Sequence, residues 1–386
     1  MKRKGIRFPL FILDSLVVLP LGCLLALAWA AAGPESYYRF SHALEFTVNE
    51  VGIAFLFAVM TKEVVEATLP GGDLHPWRRA ALPVAAAAGG VIVPVVVYIA
   101  LLKQLDEPML VQGWVVTSAI DVAACYVVGR LIFGRHPAVP FLLLLAIASD
   151  AIGLAVLAGA NPAPIVNPGL GVALVVAAVG VAIVMRRRGV ASFWPYLLVP
   201  GGLSWCGLFL CGAHPALAFV PIVPFMPHAT RHAGLFVDSA PPASDALSRM
   251  GRWWAVPVQV VLFLFGLVNA GVPLHGLDAG IWAVPVATLV GRPLGILAGA
   301  EIAVAAGLHR TPRVGWRELL VIGFTASIGL TVALFFAATA MSLGPLRLQL
   351  KTGALLTAAG ALAAFLAAWL LGVGRFRSPD VPKAGR

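Results

Sequence analysis

Apolar runs of about 18–25 residues follow one another along this chain, each long enough to carry a helix across a hydrocarbon core of about 30 Å. Backbone in lipid must satisfy its own hydrogen bonds, which leaves helices or a closed barrel, and the alternation of barrel strands is absent. The expected fold is an all-α polytopic membrane protein of about twelve transmembrane helices, one domain over residues 1–386. The spans fall at about 9–32, 46–69, 80–102, 112–129, 138–160, 166–185, 192–207, 209–226, 253–273, 281–307, 316–336 and 352–373. Composition fits: 60% of the 386 residues are hydrophobic and only 11% charged, too few to cover a soluble protein of this size.

The net charge of +10 looks like a nucleic-acid signal until it is mapped. With both termini cytoplasmic, 21 of the 27 basic residues fall in inside segments. Four fall outside (Arg39, Lys103, Arg347 and Lys351), while Lys62 and Arg292 lie within spans. That asymmetry is the positive-inside rule, so the basicity reports topology and no nucleic-acid partner. The first apolar run is read as an uncleaved span rather than a leader, because its core is long and contains Asp14. Cys23, Cys125, Cys206 and Cys211 all sit in apolar runs with no zinc spacing, and read as small core residues. No nucleophile–base pair marks an enzyme, and no cofactor is implied.

Function is therefore sought among polar residues inside the membrane, where an Asp costs about 2.5–3.5 kcal/mol and is seldom present without a purpose. The fourth span carries Thr117, Ser118 and Asp121, and the fifth carries Ser149 beside Asp150. The tenth carries Arg292 and, nine residues on, Glu301, on roughly opposite helix faces. The eleventh carries Gly323, Thr325, Ser327 and Gly329. Hydroxyls can return hydrogen bonds to their own backbone, so spans four and eleven can unwind at mid-membrane. Two interrupted spans, one in each half, point to an ion site between repeats, with spans 3–5 and 10–12 as the related triplets and 227–252 as a cytoplasmic linker. In the second span Lys62 and Glu66 are spaced to pair; alternatively Glu63 and Glu66 form an acidic cytoplasmic mouth. Small residues from Ala85 to Gly90 suit close helix approach, and His214 reads as a packing residue.

Several stretches in a fixed order then resemble the NhaA-type sodium/proton antiporters. They are AALPVAAAAGGVIVP, GWVVTSAIDVA, LAIASDAIG, GAHPALA, NAGVPLHG, VGRPLGI and IGFTASI. The resemblance implies inverted repeats whose fourth and eleventh spans unwind and cross, and exchange of Na+ or Li+ for H+ in a bacterial inner membrane. Family members often dimerise, so a homodimer is among the partners it implies. It places Asp121 on the carboxylate that offsets the helix ends, and Asp150 on the ion ligand. The family's paired Asp-Asp motif is Ser149-Asp150 here, its mid-membrane Lys is Arg292, and its Thr before the fourth-helix Asp is Ile120. With one titrating carboxylate and an Arg that holds its proton, the expectation is electroneutral one-for-one exchange. Two other readings keep the fold: carriage of another solute, such as an organic anion drawn to Arg292, or a membrane scaffold or sensor without transport.

Overall fold

In the computed structural model, the described residues are 7–68, 77–134, 136–160, 167–228, 245–272, 278–311, 313–341 and 344–376. For some of these, Asp150 and Glu63 among them, the description is of the backbone only. Among the described residues there is helix and no strand. Among the described residues, seven helices are long and apolar enough to cross a membrane, or eight with one bent pair taken as a single span.

The first span is α1 (Arg7–Ala32). The second starts earlier than its apolar run suggests: α2 (Pro34–Phe46) leads through a π-turn (Thr47–Gly52) into α3 (Ile53–Thr68). Pro34 opens α2 because its missing N–H is not needed in a first turn. The third is α4 (Trp77–Gln104). The fourth is broken as expected, a 3₁₀ segment (Pro108–Ser118) followed by extended backbone at Ala119 and Asp121 and then α5 (Val122–Phe133). Then come α6 (Ala138–Ala160), α7 (Pro168–Arg187) and α8 (Trp194–Cys211).

The run at 209–226 does not continue as an α-helix. Beyond Cys211 it makes short 3₁₀ turns at Pro215–Leu217 and Val223–Phe225. Pro215, Pro221 and Pro224 remove the N–H groups that a continuous ladder needs. The next span, α9 (Ala246–Asn269), begins inside the stretch read as linker, with Asp245 capping it by accepting from Ser248 N. Residues 229–244 of that stretch lie outside the described residues.

The tenth span is α10 (Ala279–Val286), a π-turn (Ala287–Gly291) and α11 (Arg292–Ala305). Pro293 cannot donate to the carbonyl four residues back, which favours the wider turn just before it. The eleventh is α12 (Trp316–Ala326) and α13 (Leu330–Ala340), bent by 52° across residues 327–329. The twelfth is also interrupted: α14 (Pro345–Leu356) ends at Thr357 and α15 (Ala359–Leu371) follows. Its early start moves Arg347 and Lys351, read above as outer-loop residues, into the bundle, where both are buried.

The small residues of α4 do what their size allows. A methyl group added at Gly89 would lie 2.1 Å from Gly295 O, and one at Gly299 would lie 2.5 Å from Ala85 O. Helices α4 and α11 therefore touch backbone to backbone, the packing that replaces hydrophobic driving force in lipid. This contact brings the Arg292 end of α11 alongside the fourth-span break.

The crossing of the two broken spans

Both interruptions are stabilised locally as the hydroxyls predict. Thr117 Oγ1 donates to Trp114 O and Ser118 Oγ to Val115 O, each at 2.7 Å. Thr325 Oγ1 donates to Val321 O at 2.8 Å, and Ser327 Oγ to Gly323 O at 2.9 Å and Thr288 O at 2.8 Å. These side chains satisfy carbonyls that a break would otherwise strand in a dry interior.

The two breaks also bind each other. Asp121 N donates to Ile328 O at 2.7 Å. A methyl group on Gly329 would stand 2.9 Å from Ala119 O, so glycine is needed there for approach. From the break in the twelfth span, Thr357 Oγ1 accepts from Gly329 N at 3.3 Å and donates to Ala354 O at 2.6 Å.

Four helix ends meet at this crossing, two of each polarity. A helix end carries roughly half an elementary charge, so like ends sum to about one charge in low dielectric. Asp121 answers the two N-terminal ends: Oδ1 accepts from Ala124 N of α5 at 3.1 Å, and Oδ2 accepts from Thr331 Oγ1 at 2.6 Å and Thr331 N of α13 at 3.3 Å. Arg292 answers the two C-terminal ends. Its Nη1 donates to Ala119 O at 2.5 Å and Ala326 O at 2.7 Å, and its Nη2 donates to Thr117 O. Arg292 has no exposed surface, and Asp121 is buried. One acid and one base, both inside the membrane, match the two pairs of helix ends. The planar fork of the guanidinium spreads over three carbonyls from two spans.

Beside the crossing lies a cavity of about 10 Å³, room for roughly one water, lined by Ser118, Ala119, Ser149, Gly153 and four apolar side chains. Ser149 is buried, and its hydroxyl has no hydrogen-bond partner. Asp150 follows it in α6; the side chain of Asp150 lies outside the described residues.

Other expected residues fall elsewhere. Lys62 Nζ and Glu66 Oε2 pair at 2.9 Å and both are buried, so Glu66 does not form an open acidic mouth. The helix places these two side chains on one face, where pairing in a dry setting outcompetes solvation of either alone. The side chain of Glu63 lies outside the described residues. Glu301 pairs with Arg310 at 2.5 Å, consistent with its facing away from Arg292. His214 Nδ1 accepts from Ala216 N, and its ring packs edge-on against Phe335, with Glu50 at 3.5 Å. Cys23 and Cys125 are buried, while Cys206 is exposed on the outer surface of the bundle and so is not a core residue. Thr331 and Thr357 escaped the sequence reading. Thr331 had one signal, a hydroxyl two residues after Gly329 in the interrupted span; nothing local marks Thr357.

The profile of the family described as Na+/H+ antiporter 1 matches residues 20–371. A Na(+)/H(+) antiporter NhaA of Geobacter metallireducens is 42% identical over 346 residues, 87% of this chain and 90% of that protein. A protein of the same name from Desulfitobacterium hafniense is 40% identical over 378 residues, 95% of this chain and 97% of that one. In structure, the sodium proton antiporter MjNhaP1 from Methanocaldococcus jannaschii superposes with a TM-score of 0.56 at 14% identity, covering 96% of this chain and 98% of that one. At that identity the likeness concerns the fold alone.

Proposed function

This chain belongs to the Na+/H+ antiporter 1 family and exchanges Na+ for H+ across the membrane, and we propose that the exchange runs through the single carboxylate of Asp150. The observation that carries this reading is the state of Asp121. Both of its oxygens accept from the starts of α5 and α13, so its charge is offset by helix ends and it is held as part of the scaffold. Of the two mid-span aspartates, Asp150 is then the one left to take up cargo. It follows Ser149, whose partnerless hydroxyl opens on the cavity and supplies a neutral oxygen to a hard cation.

A carboxylate that holds Na+ or a proton, never both, couples the two flows without further machinery. Asp150 is neutral in either loaded form. With Ser149 in place of a second acid, one Na+ moves for one H+ and no net charge crosses. Arg292 stays charged throughout, because a guanidinium does not release its proton, and it serves as the fixed counter-charge to the crossing. Li+, with the same charge and hard-oxygen preference, is the other expected cargo. An organic-anion carrier would need Arg292 to face its solute, whereas the guanidinium is buried against three carbonyls.

Spans 3–5 and 10–12 form the inverted-repeat core on this reading, supported by the close α4–α11 contact and by the broken fourth and eleventh spans that bind each other. The asymmetry of the basic residues supports both termini on the cytoplasmic side, and the bacterial relatives support the inner membrane. The test is exchange in proteoliposomes, followed with a pH dye and by current on solid-supported membranes. Asp150→Asn should abolish Na+-driven proton movement, and the parent should show dye signal without sustained current. Retained exchange in Asp150→Asn would overturn the assignment, and a sustained current would overturn the neutral stoichiometry.

A further inference from the structure

At the end of the bundle away from most of the basic residues, α14 reaches across to the second and ninth spans through charged and amide side chains. Arg347 Nη2 donates to Glu45 Oε1 at 2.5 Å, at the end of α2. Lys351 Nζ donates to Asn269 Oδ1 at 3.2 Å, at the end of α9. Asn269 in turn exchanges hydrogen bonds with Asn49 at 2.8 and 3.2 Å, and Asn49 sits on the π-turn of the second span. Asn49, Asn269, Arg347 and Lys351 are all buried.

A core contact that had evolved only to hold helices together would satisfy these groups, and this one does not. Arg347 Nε is buried in it without a hydrogen-bond partner. Lys351 is buried against a carboxamide rather than a carboxylate, so its desolvation is poorly repaid. Water entering from this end would supply partners to both Arg347 Nε and Lys351 Nζ. The closed arrangement is thus held by packing and opposed by its own polar atoms, which makes it easy to release. The π-turn aims Asn49 into the contact, and such turns recur where a helix serves function rather than stability.

We propose that Glu45, Asn49, Asn269, Arg347 and Lys351 are the outer closure of the exchanger, a polar seal between α14 and the second and ninth spans that opens by hydration in each transport cycle. The proposal rests on the exchange reading above for its purpose but not for its geometry. It makes two substitutions act in opposite directions. Glu45→Gln removes the charge that holds Arg347 and loosens the seal. Lys351→Met replaces the under-paired ammonium by an apolar chain of similar length, while Asn269 Oδ1 keeps Asn49 Nδ2 as a donor, and so tightens it.

Hydrogen–deuterium exchange of the full chain in proteoliposomes reads the seal directly, and turnover with the pH dye reads its use. In Glu45→Gln, amides of 45–52 and 347–353 should exchange about threefold faster or more; in Lys351→Met they should exchange slower by a similar factor. Turnover should move away from the parent in both, with the apparent KM for Na+ changing less than the rate. Faster deuterium uptake in both variants would mean that the contact is merely structural, and unchanged uptake in both would overturn the seal. A parent without Na+/H+ exchange would sink the functional reading while leaving the deuterium result to judge the closure on its own.

Discussion

Thr331→Val isolates the hydroxyl that ties Asp121 to the second half of the molecule. The side chains are nearly the same shape, so the change removes one donor without opening a cavity. The lost bond is Thr331 Oγ1 to Asp121 Oδ2 at 2.6 Å, within the range of charge-assisted O–H···O⁻ bonds. Hydrogen bonds to charged groups contribute about 1.5–3 kcal/mol, and Asp121 keeps weaker donors in Ala124 N and Thr331 N. The expected cost is therefore about 2 kcal/mol, or roughly thirtyfold in the folded-to-unfolded ratio. Equilibrium unfolding by SDS in mixed micelles measures it. Thr339→Val on the same helix is the reference, since that hydroxyl only returns to Phe335 O and Phe336 O and should cost about 0.5 kcal/mol or less. Thr331→Ser keeps the hydroxyl and should fall between the two. If Thr331→Val and Thr339→Val were equally mild, Asp121 would not be held through α13, and the balance of helix ends at the crossing would be the wrong account.

Ser149→Asp restores a second acid beside Asp150, so exchange should acquire a sustained current on solid-supported membranes; continued silence with active exchange would contradict the single-carboxylate scheme. Ser149→Ala removes only a neutral ligand and should raise the apparent KM for Na+ in the dye assay severalfold, still without sustained current on solid-supported membranes. Gly295→Val puts branched carbon where a methyl group already meets Gly89 O at 2.2 Å, so the variant should misfold or lose thermal stability far more than Gly180→Val, whose added Cβ meets nothing within 4 Å. Equal stabilities of these two in detergent melts would mean that the α4–α11 contact is loose.

Much of the architecture is legible in one dimension because lipid imposes a one-dimensional rule: every backbone group must be satisfied within its own segment, and every buried charge stands out against an apolar run. That rule marked Asp121 and Arg292, the fourth and eleventh spans as the ones able to unwind, and the small-residue face from Ala85 to Gly90. It failed where proline or a polar residue blurred a run's edge. The segment at 209–226 is apolar enough to cross yet too rich in proline to stay helical, and Arg347 and Lys351 look like loop residues because only their partners make them tolerable inside.

What the chain's order of residues could not reveal is who answers whom. Arg292 finds carbonyls of Thr117 and Ala119, more than 170 positions earlier, and Asp121 finds Thr331, 210 positions later. Those partnerships follow from the crossing of two broken spans, which brings like helix ends together and demands one opposite charge for each pair. The cost of burying a charge is written locally, residue by residue, and its compensation is a property of three-dimensional packing, so the first is visible in the sequence and the second only in the folded bundle.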